Sequence, residues 1–172
     1  MVRGKSLRFI MEYVSKKKGI EGLNALIDEA NKKRVIFMHE SDIKPYENYP
    51  GYYLSRVLKA AITVLGEKEQ IEEMGRYFGE NMDVSFKGFL GRYPPKTSMQ
   101  IMVVAMRRYL PIFHTGYKTI TSNAYWLLIS KLKKEYFPFI EGIMVSLFEK
   151  HGGIRDIKKA YGSDRIEYTL KF

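Results

Sequence analysis

Three histidines, His39, His114 and His151, are the side chains best suited to metal or proton chemistry at neutral pH. None of them pairs with another at metal-ligand spacing. His39-Glu40-Ser41-Asp42 gathers nitrogen and oxygen ligands in one loop, but polar tetrapeptides of this kind are ordinary loop composition. His114 follows Pro111 and stands near the start of a strand, where a half-exposed position accounts for it. His151 closes a helix ahead of Gly152-Gly153, and a cation there is worth about 0.3–1 kcal/mol against the helix dipole. The chain has no Cys, so thiolate catalysis, disulfides and cysteine zinc sites are excluded together. No Gly-x-Ser-x-Gly elbow is present. The pair Glu72-Glu73 falls on a helical surface and reads as solvated. Gly88-x-x-Gly91-Arg92 lacks both the following Lys-Ser/Thr and the preceding strand of a phosphate loop.

Methionine carries more information. Met99, Met102 and Met106 recur at three and four residues on one helix face, with Val103 beside them. Met74, Tyr77 and Phe78 are expected to oppose them from the fourth helix. Plain core packing explains the pattern, and so does an adaptable apolar pocket, because the flexible thioether side chain fits irregular shapes. Arg107 and Arg108 follow that face, and either an anionic group of a ligand or the helix C-terminus accounts for them. The expected ligand-binding set is therefore Met74, Tyr77, Phe78, Met99, Met102, Val103, Met106 and Arg107. No catalytic or metal-binding residue is expected.

These residues need elements to hold them. Leu7, Ile10, Met11 and Val14 predict a helix over about 6–18 that Gly19 ends, and Leu23, Leu26, Ile27 and Ala30 predict a second to about 33. Residues 35–50 read as irregular, broken by Pro45 and Pro50. A third helix runs from Tyr53 to a stop at Gly66, and a fourth covers about 68–81. Thr97 or Ser98 is expected to cap a fifth over 99–109, apolar nearly all round and deeply buried. The period then changes. Residues 113–120 and 124–129 predict a hairpin turning at Ser122-Asn123. Tyr136, Phe137, Ile140, Ile143, Met144, Leu147 and Phe148 predict an amphipathic helix that Gly152-Gly153 stops. A final hairpin turns at Gly162-Ser163-Asp164, with Ile166, Tyr168, Leu170 and Phe172 on one face. The fold class is α+β: about five helices, then hairpin–helix–hairpin forming a four-stranded antiparallel sheet, in one domain over 1–172.

Composition agrees with such a domain. Hydrophobic residues make up 45% of 172, enough for a core. No signal peptide and no spanning segment is read, which fits a cytoplasmic protein. The net charge of +10 suits either a Lys-rich surface or an acidic partner. The lysines fall in short clusters at 16–18, 32–34, 131–134 and 158–159, with no continuous basic stripe on any one element.

The element order resembles that of the haem-nitric-oxide/oxygen-binding (H-NOX) domains and their relatives, the 4-vinyl-reductase-type ligand-binding domains and TRAPP subunits. Leu128-Ile129-Ser130-Lys131 leading into Tyr136-Phe137-Pro138-Phe139-Ile140-Glu141-Gly142 resembles the H-NOX strand and its penultimate helix. Tyr161-Gly162-Ser163-Asp164 resembles the final hairpin, and Phe89-Leu90-Gly91-Arg92 a stretch upstream of the proximal helix. The resemblance implies the fold and a pocket. It also implies a haem-ligating His on the helix before the first hairpin, which here has none. A Tyr-x-Ser-x-Arg motif for the haem propionates corresponds to Leu128, Ser130 and Leu132, and only the Ser is kept. The expectation is a non-enzymatic ligand-binding or sensory domain without haem. It would take an apolar small molecule and pass its signal to a partner protein or a second copy. A nucleic-acid-binding protein and an adaptor or assembly subunit are the alternatives.

Overall fold

The computed structural model describes residues 1–82, 93–151 and 153–172. Gly88-x-x-Gly91-Arg92, Phe89-Leu90-Gly91-Arg92, Gly152 and the side chain of His151 lie outside the described residues.

The chain starts with β1 (Val2–Arg3), which pairs antiparallel with β2 (Asn48–Tyr49). Between them runs α1 (Gly4–Asn31), two helical segments joined at Gly19. Gly19 has φ 70° and ψ −167°, a conformation that excludes side-chain-bearing residues, so the predicted break is present. The helix begins before the predicted residue 6. Its first N–H groups are satisfied from the returning loop, Gly4 donating to Glu47 O and Lys5 to Pro45 O. The stretch 35–50, expected to be irregular, carries a 3-10 turn (Glu40–Asp42) as well as β2, whose pairing with β1 has no signal in the sequence. Next come α2 (Gly51–Leu65), closed by Gly66 N–H on Ile62 O, and α3 (Lys68–Asn81).

Helix α4 (Pro95–Tyr109) differs from expectation in two ways. It starts four residues before Met99, with Pro94 at the cap and Pro95 in the first turn, and no side chain caps it. Proline suits that position because its missing N–H would have no helical partner. Ser98 lies inside the first turn and donates its hydroxyl to Tyr93 O. The helix is also not apolar all round in its packing. Val104 is 59% exposed and Ile101 half-buried, while Met99, Met102, Ala105, Met106 and Tyr109 face inward.

The sheet follows prediction. It comprises β3 (His114–Thr121), β4 (Ala124–Ser130), β5 (Asp156–Tyr161) and β6 (Arg165–Lys171), antiparallel in the order β3-β4-β6-β5. The register aligns Tyr125, Leu127 and Ile129 with Leu170, Tyr168 and Ile166 on one buried face. Helix α5 (Phe137–His151), entered through a 3-10 turn (Lys134–Tyr136), covers that face, and the Phe148 and Tyr168 rings meet edge-on at 5.4 Å. Trp126, Leu128 and Ser130 turn to the other face with Glu167 and Thr169, all half-buried.

Helices α3 and α5 are in backbone contact. A Cβ on Gly75 would fall on Phe139 O, one on Gly142 on Glu72 O, and one on Gly79 against Ser146. Small residues at i and i+4 on each helix (Gly75 and Gly79, Gly142 and Ser146) permit this approach. Beyond it, α3 ties to α1 through Glu73, which accepts from Tyr13 Oη at 2.9 Å and Lys17 Nζ at 2.8 Å. These two bonds, Lys17 first, hold the Glu73 carboxyl below its ordinary value.

Burial raises several tyrosines. It pushes Tyr136 up to about 12, with Glu135 adding to it, and Tyr161 up to about 12, with Glu141 adding. Tyr168 and Tyr13 also move upward, mainly through burial. In the unfolded chain the phenols of Tyr136 and Tyr168 ionise near 10, while in the fold, where both are buried, they stay neutral to higher pH; Tyr161 is more than half exposed and adds little. The stability that these phenols contribute is therefore full below pH 10 and is lost as pH rises through about 12. The expected result is a thermal midpoint that drops steeply above pH 10, with the tyrosinate absorbance of these phenols appearing only as the fold is lost. Tyr136, 5% exposed, contributes about 2–3 kcal/mol of the loss by pH 12, so Tyr136→Phe flattens the decline.

Candidate functional site

The methionine face lies where α4 meets the helical layer. Met74, Phe78, Met99, Met102 and Met106 are fully buried and Val103 nearly so, all within one hydrophobic core. Phe78 is at its centre. Its ring meets Phe9 of α1 at 5.6 Å, Phe139 of α5 at 5.4 Å and Tyr109 of α4 at 6.4 Å, each at a steep interplanar angle. Phe9 and Tyr109 in turn stack at 6.5 Å. Neither belongs to the expected ligand-binding set. Phe9 lies between Leu7 and Ile10, and Tyr109 continues the 99, 102, 106 series by three, which is the signal that could have found it.

Tyr77 turns toward α1. Its hydroxyl donates to Glu12 at 3.2 Å and accepts from Lys16 Nζ at 3.0 Å, while the Lys16 ammonium sits 4.6 Å from the ring centroid. The structure thus joins Met74 and Phe78 to the core that holds the α4 methionines and aims Tyr77 at the α1–α3 surface.

Arg107 points toward the sheet. Its Nε and Nη2 both donate to Thr115 O, at 3.0 and 2.7 Å, on the edge strand β3. There it borders a recess of about 550 Å³ with Phe113, His114, Gly116, Leu128 and Ser130. Pro111 and Phe113 supply an apolar floor, and His114 and Ser130 supply polar atoms. Two of the three positions matched to the H-NOX propionate motif, Leu128 and Ser130, therefore open onto the same recess as Arg107. The third, Leu132, is buried. That Arg107 joins them is not visible in the sequence, because twenty residues and a hairpin turn separate the partners.

The remaining candidates are engaged elsewhere. Asp42 accepts from the backbone N–H of His39 and of Met38, both at 2.9 Å, and these bonds hold its carboxyl low. Glu40 faces Arg8 at 3.5 Å. Glu72 approaches Arg76. Among the described residues no three His, Cys, Asp or Glu side chains gather as a metal site. No helix among them is long and apolar enough to cross a membrane.

No family model matches the chain, and a search of curated proteins gave no match. Solved structures do match, over nearly the full length. The Fe(II) unliganded H-NOX protein from K. algicida is 14% identical, with 99% of this chain and 96% of that one covered and a TM-score of 0.62. The oxygen complex of an oxygen-binding H-NOX domain related to soluble guanylate cyclases is 14% identical, covering 99% and 95%, with a TM-score of 0.59. A point mutant of the T. Tengcongensis H-NOX is 13% identical, covering 99% and 97%, also at 0.59. The chain has an H-NOX-like fold, and at these identities the fold is what is shared.

Proposed function

We propose that this chain is a non-enzymatic, cytoplasmic small-molecule sensor that uses the H-NOX-like fold without haem. The observation that carries the reading is the recess where Arg107 of α4 meets Leu128 and Ser130 of β4. Arg107 keeps guanidinium hydrogens beyond the two given to Thr115 O. It suits a ligand with an apolar body and one acidic group. Met99, Met102 and Met106, with Val103, Met74 and Phe78, form the compliant wall behind α4, and Tyr77 links that wall to α1. A ligand that presses on α4 would move its exposed residues, Val104 and Arg108, and through them a separate partner or a second copy docked there.

The residues do not fit haem. Helix α4 presents methionines inward and carries no His. Leu128 and Leu132 bring neither the hydroxyl nor the guanidinium that a propionate pair needs. Beside α4 the rings of Phe9, Tyr109 and Phe139 pack against Phe78.

Two measurements test this. A native mass spectrum of the protein from its own cells should show one small acidic molecule per chain. Haemin titration should give no stoichiometric Soret band. A sharp Soret band at one haem per chain would restore the cofactor and sink the haem-free reading. A ligand-free spectrum, with no thermal stabilisation by a panel of medium-chain carboxylic acids, would sink the sensor reading.

A further inference from the structure

Two of the lysine clusters that are scattered in the sequence are brought together by the fold. Lys32 and Lys33, just past the end of α1, face Arg56 and Lys59 on α2 and Lys133 from the segment between β4 and α5. These five cations line a cleft of about 470 Å³ whose one acidic side chain among the described residues is Glu29. Glu29 is paired with Lys32. Lys33, Arg56, Lys59 and Lys133 have no carboxylate partner among the described residues, although Arg8, Lys17, Arg76, Lys159, Arg165 and Lys171 all find one. Five cations against one carboxylate leave an excess of four charges in a concavity, out of +10 for the whole chain. Like charges drawn together from three segments repel, and a concave low-dielectric wall focuses their field outward.

We propose that this cleft binds a small molecule carrying two or more phosphate groups. The charge sets the number. Each phosphate monoester carries about −1.5 to −2 at pH 7, so two of them offset the excess. The volume falls within the roughly 300–1,000 Å³ of small-molecule sites. A nucleic-acid backbone fits less well, because it needs a basic track that continues beyond the cleft. The other lysine clusters, Lys16 to Lys18 and Lys158-Lys159, line no part of it. This site is separate from the recess at Arg107 and does not depend on it.

The test is calorimetric titration of the full chain with inorganic tripolyphosphate, with orthophosphate for comparison. One tripolyphosphate binds per chain, and orthophosphate binds much more weakly. The double variant R56Q/K133Q loses at least tenfold in affinity while its ligand-free melting temperature stays level or rises, since repulsion is relieved. The control K118Q/K158Q, on the far face of the sheet, binds as the parent does. Sedimentation with phosphatidylcholine vesicles, with and without a bisphosphorylated inositol lipid, distinguishes a membrane headgroup from a free metabolite. Either source supports the chemistry if R56Q/K133Q abolishes it. The proposal is overturned by an absence of saturable binding or by equal losses in both double variants. It is also overturned by single-stranded RNA that binds tighter than tripolyphosphate and is indifferent to R56Q/K133Q.

Discussion

Gly142→Ala lowers the unfolding free energy by about 3 kcal/mol, roughly 6–12 °C in melting temperature for a chain of this size. The loss turns on what the new methyl group meets. It would fall on the Glu72 carbonyl oxygen and beside the Arg76 amide nitrogen, both backbone atoms of α3. Backbone cannot rotate aside as a side chain can, so α3 and α5 must move apart. Their separation loosens Phe139 and Ile143, which are fully buried. Alanine gains about 0.8–1.0 kcal/mol over glycine in helix propensity, and the clash outweighs it. Gly116→Ala is the control. A Cβ there meets nothing within 4 Å, so the change stays within about 0.5 kcal/mol. Urea denaturation with an unchanged slope checks both. A Gly142→Ala midpoint equal to the parent's would show that the two helices do not touch.

Phe78→Ala is the other large loss, about 3–5 kcal/mol. One ring joins four helices, since its neighbours Phe9, Tyr109 and Phe139 belong to α1, α4 and α5. Truncation removes three edge-to-face contacts as well as buried area. The cavity left behind is bounded by the rings of Phe9, Tyr109 and Phe139 within the apolar core, so it stays dry and accepts a small apolar guest. Saturating benzene is therefore expected to restore part of the stability of the variant and none of the parent's. A loss under about 1 kcal/mol would mean that the interior beside α4 is already open. Phe78→Leu, which keeps most of the volume, costs less and separates packing from ring-specific contacts.

Periodicity is enough to read most elements. The shift from a spacing of three and four to alternation after Pro111 predicts the hairpin–helix–hairpin order, and the break at Gly19 and the stop at Gly66 follow from glycine alone. The start of α4 escapes this reading, because a hydroxyl cap is expected where the proline pair already supplies a first turn. Its burial is overestimated because Val104 is apolar but faces water. The close α3–α5 approach is legible in principle, as two pairs of small residues spaced by four, yet small residues carry no hydrophobic signal to draw the eye. The recess and the basic cleft are not legible. Each joins segments far apart in the chain, and a single sequence does not say which clusters will face each other.

The contact between Arg107 and Thr115 O has a consequence of another kind. Strand β3 lies at the margin of the sheet, and its outer carbonyls are templates for any extended chain that drifts by. Arg107 occupies one of them with two donors, the register slips between Thr119 and Thr121, and Lys118 adds charge between them. The opposite margin, β5, carries Lys158 and Lys159. The side chain that the proposed function places against a ligand therefore also guards the sheet edge against self-association. If the proposed reading holds, ligand preference and resistance to aggregation cannot drift independently at this position, and a change there is felt in solubility as well as in binding.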